Sequence, residues 1–329
     1  MPGTGLRVLI TGADGFVGQG LVAALARPGM AAALLGAPLD VLLLADRTAG
    51  RMPAGLPARW KAGDLADPAY LASLTEDPLD LVFHLASLPG AAAEGQPELG
   101  AAINLVASQH LALRLARQAR EGGPVPRVVF ASSIAVLGRL GSDPVGDAHP
   151  PAPTLSYGAQ KWMTEILLAD LSRRGEVDAI SLRLRGIVAR PAGAGGFGSA
   201  FMSEIFHTAR ARTAYRCPVS PGATAWWMSR PTCVAALAHV ARLDPARLPS
   251  GRSLLLPAFH APVGAVIETL GAALGSEAVA GINFAPDAAI EALFGCLPPL
   301  VAERARAAGF QGDETAGQLV ARCLADLDG

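Results

Sequence analysis

Apolar residues follow two alternating rhythms along this chain. Leu6-Arg7-Val8-Leu9-Ile10 is a short aliphatic run ending at Gly12, which predicts a buried strand. Phe16 to Ala26 has the three-to-four spacing of a helix and stops at Arg27-Pro28-Gly29. Further strands are predicted at Val41–Leu44, closed by Asp46, at Trp60–Asp64, Leu79–Leu85, Arg127–Ala131 and Ala179–Leu184. Long helices are predicted at Ala101–Glu121, stopped by Gly122-Gly123-Pro124, and at Leu155–Arg174. Strands alternating with helices imply an α/β protein with a doubly wound parallel sheet. From about Ala192 the pattern loosens. Gly193-Ala194-Gly195-Gly196 reads as a loop, and later helices such as Val263–Leu274 lie between Pro-rich segments. The expected division is therefore residues 1–190 as the sheet domain and 191–329 as a smaller cap over the carboxyl ends of the strands.

Composition narrows the class. The 329 residues are 51% hydrophobic and 17% charged, enough for a sizeable core and incompatible with disorder. Basic and acidic residues number 27 and 28, so no overall field draws nucleic acid or an anionic membrane surface. Cys217, Cys233, Cys296 and Cys323 form no C-x-x-C pair, and the histidines show no paired spacing. Buried thiols and no metal site are expected. The apolar stretch Gly29–Leu44 is broken by Pro38 and Asp40, so no membrane span is expected and the location read is cytoplasmic.

The first turn carries candidate chemistry. Thr11-Gly12-Ala13-Asp14-Gly15-Phe16-Val17-Gly18 joins the first strand to the first helix. Glycines at 12, 15 and 18 let the backbone turn tightly and bring a helix N-terminus to a pyrophosphate, where free N–H groups favour an anion. Phe16 and Val17 open that helix. Asp46, at the end of the second strand, can accept both ribose hydroxyls and repel a 2′-phosphate, which favours NAD over NADP. It lies further from Gly18 than the usual ~20 residues, so roughly Met30–Leu39 must be inserted between helix and strand. Arg47 follows directly and could instead accommodate a phosphate, and Asp46 could be a simple turn residue. Asp64, before Leu65, either meets the adenine amino group or caps the helix starting at Asp67-Pro68. Leu85, Ala86 and Ser87 lie where backbone must run close to a cofactor.

Ser156-Tyr157-Gly158-Ala159-Gln160-Lys161 opens a helix, so Tyr157 and Lys161 share one face. A phenol with a pKa near 10 is a poor base at neutral pH, and a neighbouring ammonium favours phenolate. The same pair also suits an ordinary solvated helix face. At the end of the fifth strand either Ser132 or Ser133 could hydrogen-bond a substrate oxygen, or simply cap. Arg183 and Arg185 fall on one side of a regular sixth strand and could equally be a surface strand end. Ser199 and Phe201 lie where a substrate loop would run; Trp226 and Trp227 could be pocket wall or cap core, and core is the better reading.

Gly12-x-x-Gly15-x-x-Gly18, Gly63-Asp64-Leu65, His84-Leu85-Ala86, Ser132-Ser133 and Tyr157-x-x-x-Lys161, in that order, resemble an extended short-chain dehydrogenase/reductase of the NAD-dependent epimerase/dehydratase family. The resemblance implies a Rossmann domain, bound NAD, a Ser133–Tyr157–Lys161 catalytic trio with Lys161 also holding the nicotinamide ribose, and Asn104 as the family asparagine. It also implies a homodimer through the helices 101–121 and 155–174. Ser172-Arg173-Arg174-Gly175, Cys217-Pro218-Val219 and Trp226-x-Met228-Ser229 are similar to D-erythronate dehydrogenases, which oxidise a four-carbon sugar acid with NAD. This chain has Arg185 where those enzymes have proline, and Thr224 where they have arginine. A sugar acid needs a cation for its carboxylate, and Arg185 could have taken that role. The expected function is oxidation of a secondary hydroxyl of a small sugar acid. The alternatives are nucleotide-sugar epimerisation or dehydration with retained NAD, and a non-catalytic NAD-sensing protein.

Overall fold

A computed structural model describes residues 5–193 and 199–328. The chain separates into two compact units. The first comprises Met1–Val136, Pro153–Arg183 and Val234–Leu254, and the second Leu137–Ala152, Leu184–Cys233 and Leu255–Gly329.

The first unit is built on a seven-stranded sheet in the order Ser253–Leu255, Asp178–Leu184, Arg127–Ser133, Leu81–His84, Leu6–Thr11, Leu39–Asp46, Ala58–Ala62. Leu6–Thr11 runs parallel to both of its neighbours, and parallel pairing continues outward to Ala58–Ala62 and Arg127–Ser133. The doubly wound reading of the sequence therefore holds. Val8, Leu9, Ile10 and Thr11 are all fully buried, as a parallel strand covered on both faces requires. Leu9, Leu43, Val82 and Phe130 pack with Leu111, Leu115, Leu168 and Leu171 into one core.

The predicted insertion after the first helix is a short helix, Met30–Leu35. Gly29 and Gly36 bracket it at φ +73° and +82°, left-handed positions that glycine adopts without Cβ strain. The third strand is Ala58–Ala62, earlier than the sequence suggested, because its residues pair in register with Leu42–Asp46. The long helix of 101–121 begins in π form over Ala101–Ala107 and continues as α-helix over Ser108–Arg120.

A single boundary at residue 190 does not describe the molecule. Residues 234–254 return to the first unit, where the Arg127 guanidinium donates to the carbonyls of Val240, Ala241 and Leu243. Residues 137–152 belong to the second unit, where strand Val145–Gly146 pairs with Leu300–Val301. The second unit has its own core of Phe201, Ile205, Phe206, Trp227, Val263, Leu270 and Leu319. Strand Thr224–Trp227 pairs antiparallel with Phe259–Pro262 within it. In the Gly193–Gly196 loop, residues 194–196 lie outside the described residues. Among the described residues no helix is long and apolar enough to cross a membrane.

Candidate active site

The glycine turn is shaped by close packing. Gly12 has φ +72°, and a Cβ there would sit 2.6 Å from the Ala86 nitrogen. A Cβ on Gly18 would sit 2.1 Å from the Gly12 carbonyl oxygen. Gly12 thus seats the turn against Leu85–Ala86, and Gly18 lets the helix Phe16–Ala26 start directly on the turn. Gly15 is that helix's N-cap and makes no side-chain cap, and the positive end of a helix dipole favours an anion at such a turn. Asp46 closes its strand with one carboxylate oxygen accepting from the Asp14 N–H at 3.0 Å and the other from the Arg47 N–H at 2.7 Å. Each oxygen keeps acceptor capacity for a ribose hydroxyl. Exposed Asp64 accepts from the Ala66 N–H at 2.9 Å, and Leu65 is buried. The helix cap is Asp67, not Asp64, with its side chain accepting from the Ala69 N–H. Anion seat, diol acceptor and tight backbone together fit an NAD molecule.

Behind this turn lies a buried histidine. His84 shares hydrogen bonds with the Thr11 hydroxyl at 2.7 Å and the Ser108 hydroxyl at 2.8 Å, and its ring stacks on Phe130 at 5.6 Å. Burial, helped by the Lys161 charge, pushes its pKa down to about 3, so it is neutral. It ties the ends of strands Leu6–Thr11 and Leu81–His84 to the long helix.

Tyr157 and Lys161 lie in helix Ser156–Arg173, whose first N–H is met by the Glu94 carboxylate at 2.5 Å. Gly158 lets that helix approach the turn after Ser133: a Cβ there would lie 2.3 Å from the Ala135 carbonyl oxygen. Half-buried Tyr157 has Ser133 and Ser87 as its polar neighbours. Burial pushes its pKa up, and the two serines pull against that rise. Lys161 is 1% exposed and donates to the Ala131 carbonyl at 2.8 Å. Its ammonium lies 4.7 Å over the Phe130 ring and 5.7 Å from the Tyr157 ring. Burial pushes it down to about 7, against an upward pull from Glu165.

The structure separates the two candidate serines. Ser133 joins Tyr157, whereas buried Ser132 donates to Glu165 at 2.5 Å. The other Glu165 oxygen receives the Arg183 guanidinium at 2.8 Å. Arg183 is therefore a partner of Glu165 and not a free surface cation. Sequence reasoning missed Glu165, although Tyr157, Lys161 and Glu165 follow one another at helical i, i+4, i+8 spacing. Asn104, fully buried, accepts from the Leu88 N–H at 2.7 Å and donates to the Leu88 carbonyl and to Gln160. Both its N–H groups are thereby used, so it holds the segment after Ser87 instead of offering its amide to a cofactor.

The remaining candidates belong to the second unit. Phe201, 1% exposed, opens helix Phe201–Ala211 and packs in the core, which corrects its assignment to a substrate loop. The Ser199 carbonyl accepts from the Met202 N–H at 3.2 Å and from the Arg190 guanidinium at 3.4 Å, and its hydroxyl lies 3.5 Å from that guanidinium. Arg185 is no surface strand end. It is 3% exposed, lies 5.5 Å over the Trp226 ring, and none of its three guanidinium nitrogens has a hydrogen-bond partner among the described residues. Burial pushes its pKa down to about 9.

Comparison with known proteins agrees with this geometry. D-erythronate dehydrogenase of Cupriavidus necator is 36% identical, with 98% of each chain covered. The enzyme of the same description from Haemophilus influenzae is 31% identical over 94% of this chain and 95% of its own. The crystal structure of a nucleoside-diphosphate-sugar epimerase from Agrobacterium tumefaciens superposes with a TM-score of 0.89 at 33% identity, covering 96% of this chain and 92% of that one. The family model for the NAD dependent epimerase/dehydratase family matches residues 8–220. With a glycine turn fitted to a dinucleotide and a paired Tyr157 and Lys161 behind it, the chain belongs to the NAD-dependent epimerase/dehydratase family.

Proposed function

We propose that this protein is an NAD-dependent dehydrogenase that oxidises a secondary hydroxyl of a small sugar acid of the D-erythronate kind. The observation that carries the reading is Tyr157, beside Ser133 and Ser87 and one helical turn from Lys161, in a chain whose curated relatives of that activity match over nearly their whole length. Tyr157 Oη takes the proton of the substrate hydroxyl as its carbon gives up hydride. NAD, when bound, supplies the hydride acceptor and a positive charge that favours phenolate. Ser133 donates to the substrate oxygen and fixes its position. The ammonium form of Lys161 steadies phenolate, and because burial pushes its pKa down to about 7 that support fades as pH rises through neutrality. Asp46 accepts the adenosine ribose hydroxyls, which selects NAD.

Absorbance of NADH with four- to six-carbon aldonates tests the reaction. Tyr157→Phe is expected to lower turnover by about a thousandfold and leave NAD binding unchanged; unchanged turnover removes Tyr157 from the mechanism. A second reading, epimerisation of a nucleotide sugar, is favoured by the 33% identity to the Agrobacterium tumefaciens epimerase. It predicts tightly held cofactor and turnover of a nucleotide sugar without net NADH.

We also read the protein as a cytoplasmic homodimer. Val106, Leu113, Met163 and Ile166 are all at least 42% exposed on the two long helices of the first unit, an apolar face suited to a second copy. Free Cys217, Cys233, Cys296 and Cys323 suit a reducing compartment. In sedimentation, Ile166→Asp is expected to convert dimer to monomer; a monomeric wild type ends the dimer reading.

A further inference from the structure

Arg185 presents a physical problem that the fold does not solve. A guanidinium carries five N–H donors in a fixed fork and stays charged in proteins. Buried without acceptors, it loses its hydration and gains nothing from hydrogen bonding. The indole face of Trp226 returns part of that loss through its quadrupole, but an aromatic ring accepts no fork of N–H bonds. The arrangement is nonetheless firmly built. The Trp226 indole N–H donates to the Pro298 carbonyl at 2.7 Å, which fixes the ring. Gly186 lets the chain beside Arg185 run against Trp226, because a Cβ there would sit 2.0 Å from the Trp226 carbonyl oxygen. Ile187 and Met228 bridge just beyond, joining the same two segments. A cation held this deliberately, with its donors unmet among the described residues, calls for a bound anion.

We propose that Arg185, laid on Trp226, is a carboxylate seat within the second unit, clamping the acid group of a small hydroxy acid through two parallel N–H bonds. Its identification with a sugar acid rests on the dehydrogenase reading above. Charge selects the class of ligand. A carboxylate brings one negative charge and two coplanar oxygens, so it matches the fork and leaves a neutral buried pair. A phosphate dianion would leave an excess negative charge in the same buried place. Neutral sugars and alditols offer nothing to the guanidinium charge. The seat therefore sets specificity for acids over the corresponding alcohols.

A buried, unanswered charge also destabilises the ligand-free protein, which separates this proposal from a merely structural arginine. Thermal melting of the full-length protein with D-erythronate, with erythritol and with inorganic phosphate is the test, run on wild type, Arg185→Met and Arg185→Lys. Wild type is expected to be stabilised by D-erythronate and not by erythritol. Arg185→Met is expected to melt higher than wild type without ligand, to lose the response to D-erythronate, and to bind NADH unchanged by fluorescence. Its KM for the acid should rise about a hundredfold, more than kcat falls. Arg185→Lys, which keeps the charge but not the fork, should respond in between. A D-erythronate response in Arg185→Met equal to that of wild type overturns the seat. So does a wild type that responds to phosphate and to no two- to six-carbon hydroxy acid. Arg185-dependent stabilisation by D-erythronate without NADH formation would end the dehydrogenase reading and leave the seat standing.

Discussion

Two arginines separated by a single residue show two ways in which this protein treats a charge taken out of water. In the first unit Arg183 meets Glu165, and Glu165 meets Ser132 as well. Asp178 of the same unit lies between Arg127 and Arg252, at 2.5 and 2.7 Å. In the second unit Asp313 is answered by Ser229, Thr232 and Arg322. Arg185 alone among these is left with only an aromatic face. Closed networks hold a scaffold in place, since every member is satisfied before any ligand arrives. An open one keeps its binding free energy for something else. The contrast teaches that burial alone does not mark a functional cation; burial without a partner does.

The largest effect should come from breaking a closed network. Glu165→Gln leaves part-buried Arg183 without its counter-ion and is expected to cost about 3 kcal/mol in urea unfolding. That is opposite in sign to the stabilisation expected of Arg185→Met. Glu165 also raises the Lys161 pKa, so its loss should move Lys161 further below about 7 and shift the alkaline limb of turnover to lower pH. A variant as stable as wild type with an unmoved profile would erase the distinction between the two arginines.

A smaller effect is expected at His84. Its folded pKa of about 3 lies below the unfolded value near 6.5, so above pH 6.5 it contributes no pH dependence. As pH falls from 6.5 towards 3 the unfolded chain takes up a proton that the folded protein refuses, and stability is lost. Roughly 2–3 kcal/mol should disappear between pH 7 and pH 4 from this residue. His84→Gln should flatten that slope in unfolding titrations; an equal slope in both proteins would mean that the histidine is not the closed, neutral element described here.

Much of the first unit was legible because its signals are local. A strand, a glycine turn and a helix follow one another within residues 6–26, and Tyr157 and Lys161 are spaced by one helical turn. What escaped the sequence was decided by packing across long separations. Ser132 and Ser133 are indistinguishable until Glu165 claims one and Tyr157 the other. Phe201 looked like a loop residue because the helix it opens is recognised only once its ring meets the core. The exchange of residues 137–152 and 234–254 between units was hidden for the same reason: strand Val145–Gly146 finds its partner at Leu300–Val301. Periodicity gives no warning of a pairing so distant.

The π-helical stretch Ala101–Ala107 has a consequence for the history of the chain. A π-helix spends more residues per turn than the α-helix and is locally less favourable, so such a segment behaves as an α-helix into which one residue has been inserted. Deleting a residue there would restore ordinary helical bonding, while turning everything on its N-terminal side by about 100° relative to Ser108–Arg120. Asn104 would then no longer face both Leu88 and Gln160. The surplus residue is an irregularity that serves a segment sixteen positions upstream, and a lineage that smoothed its helix would lose the fastening of the loop beside Tyr157.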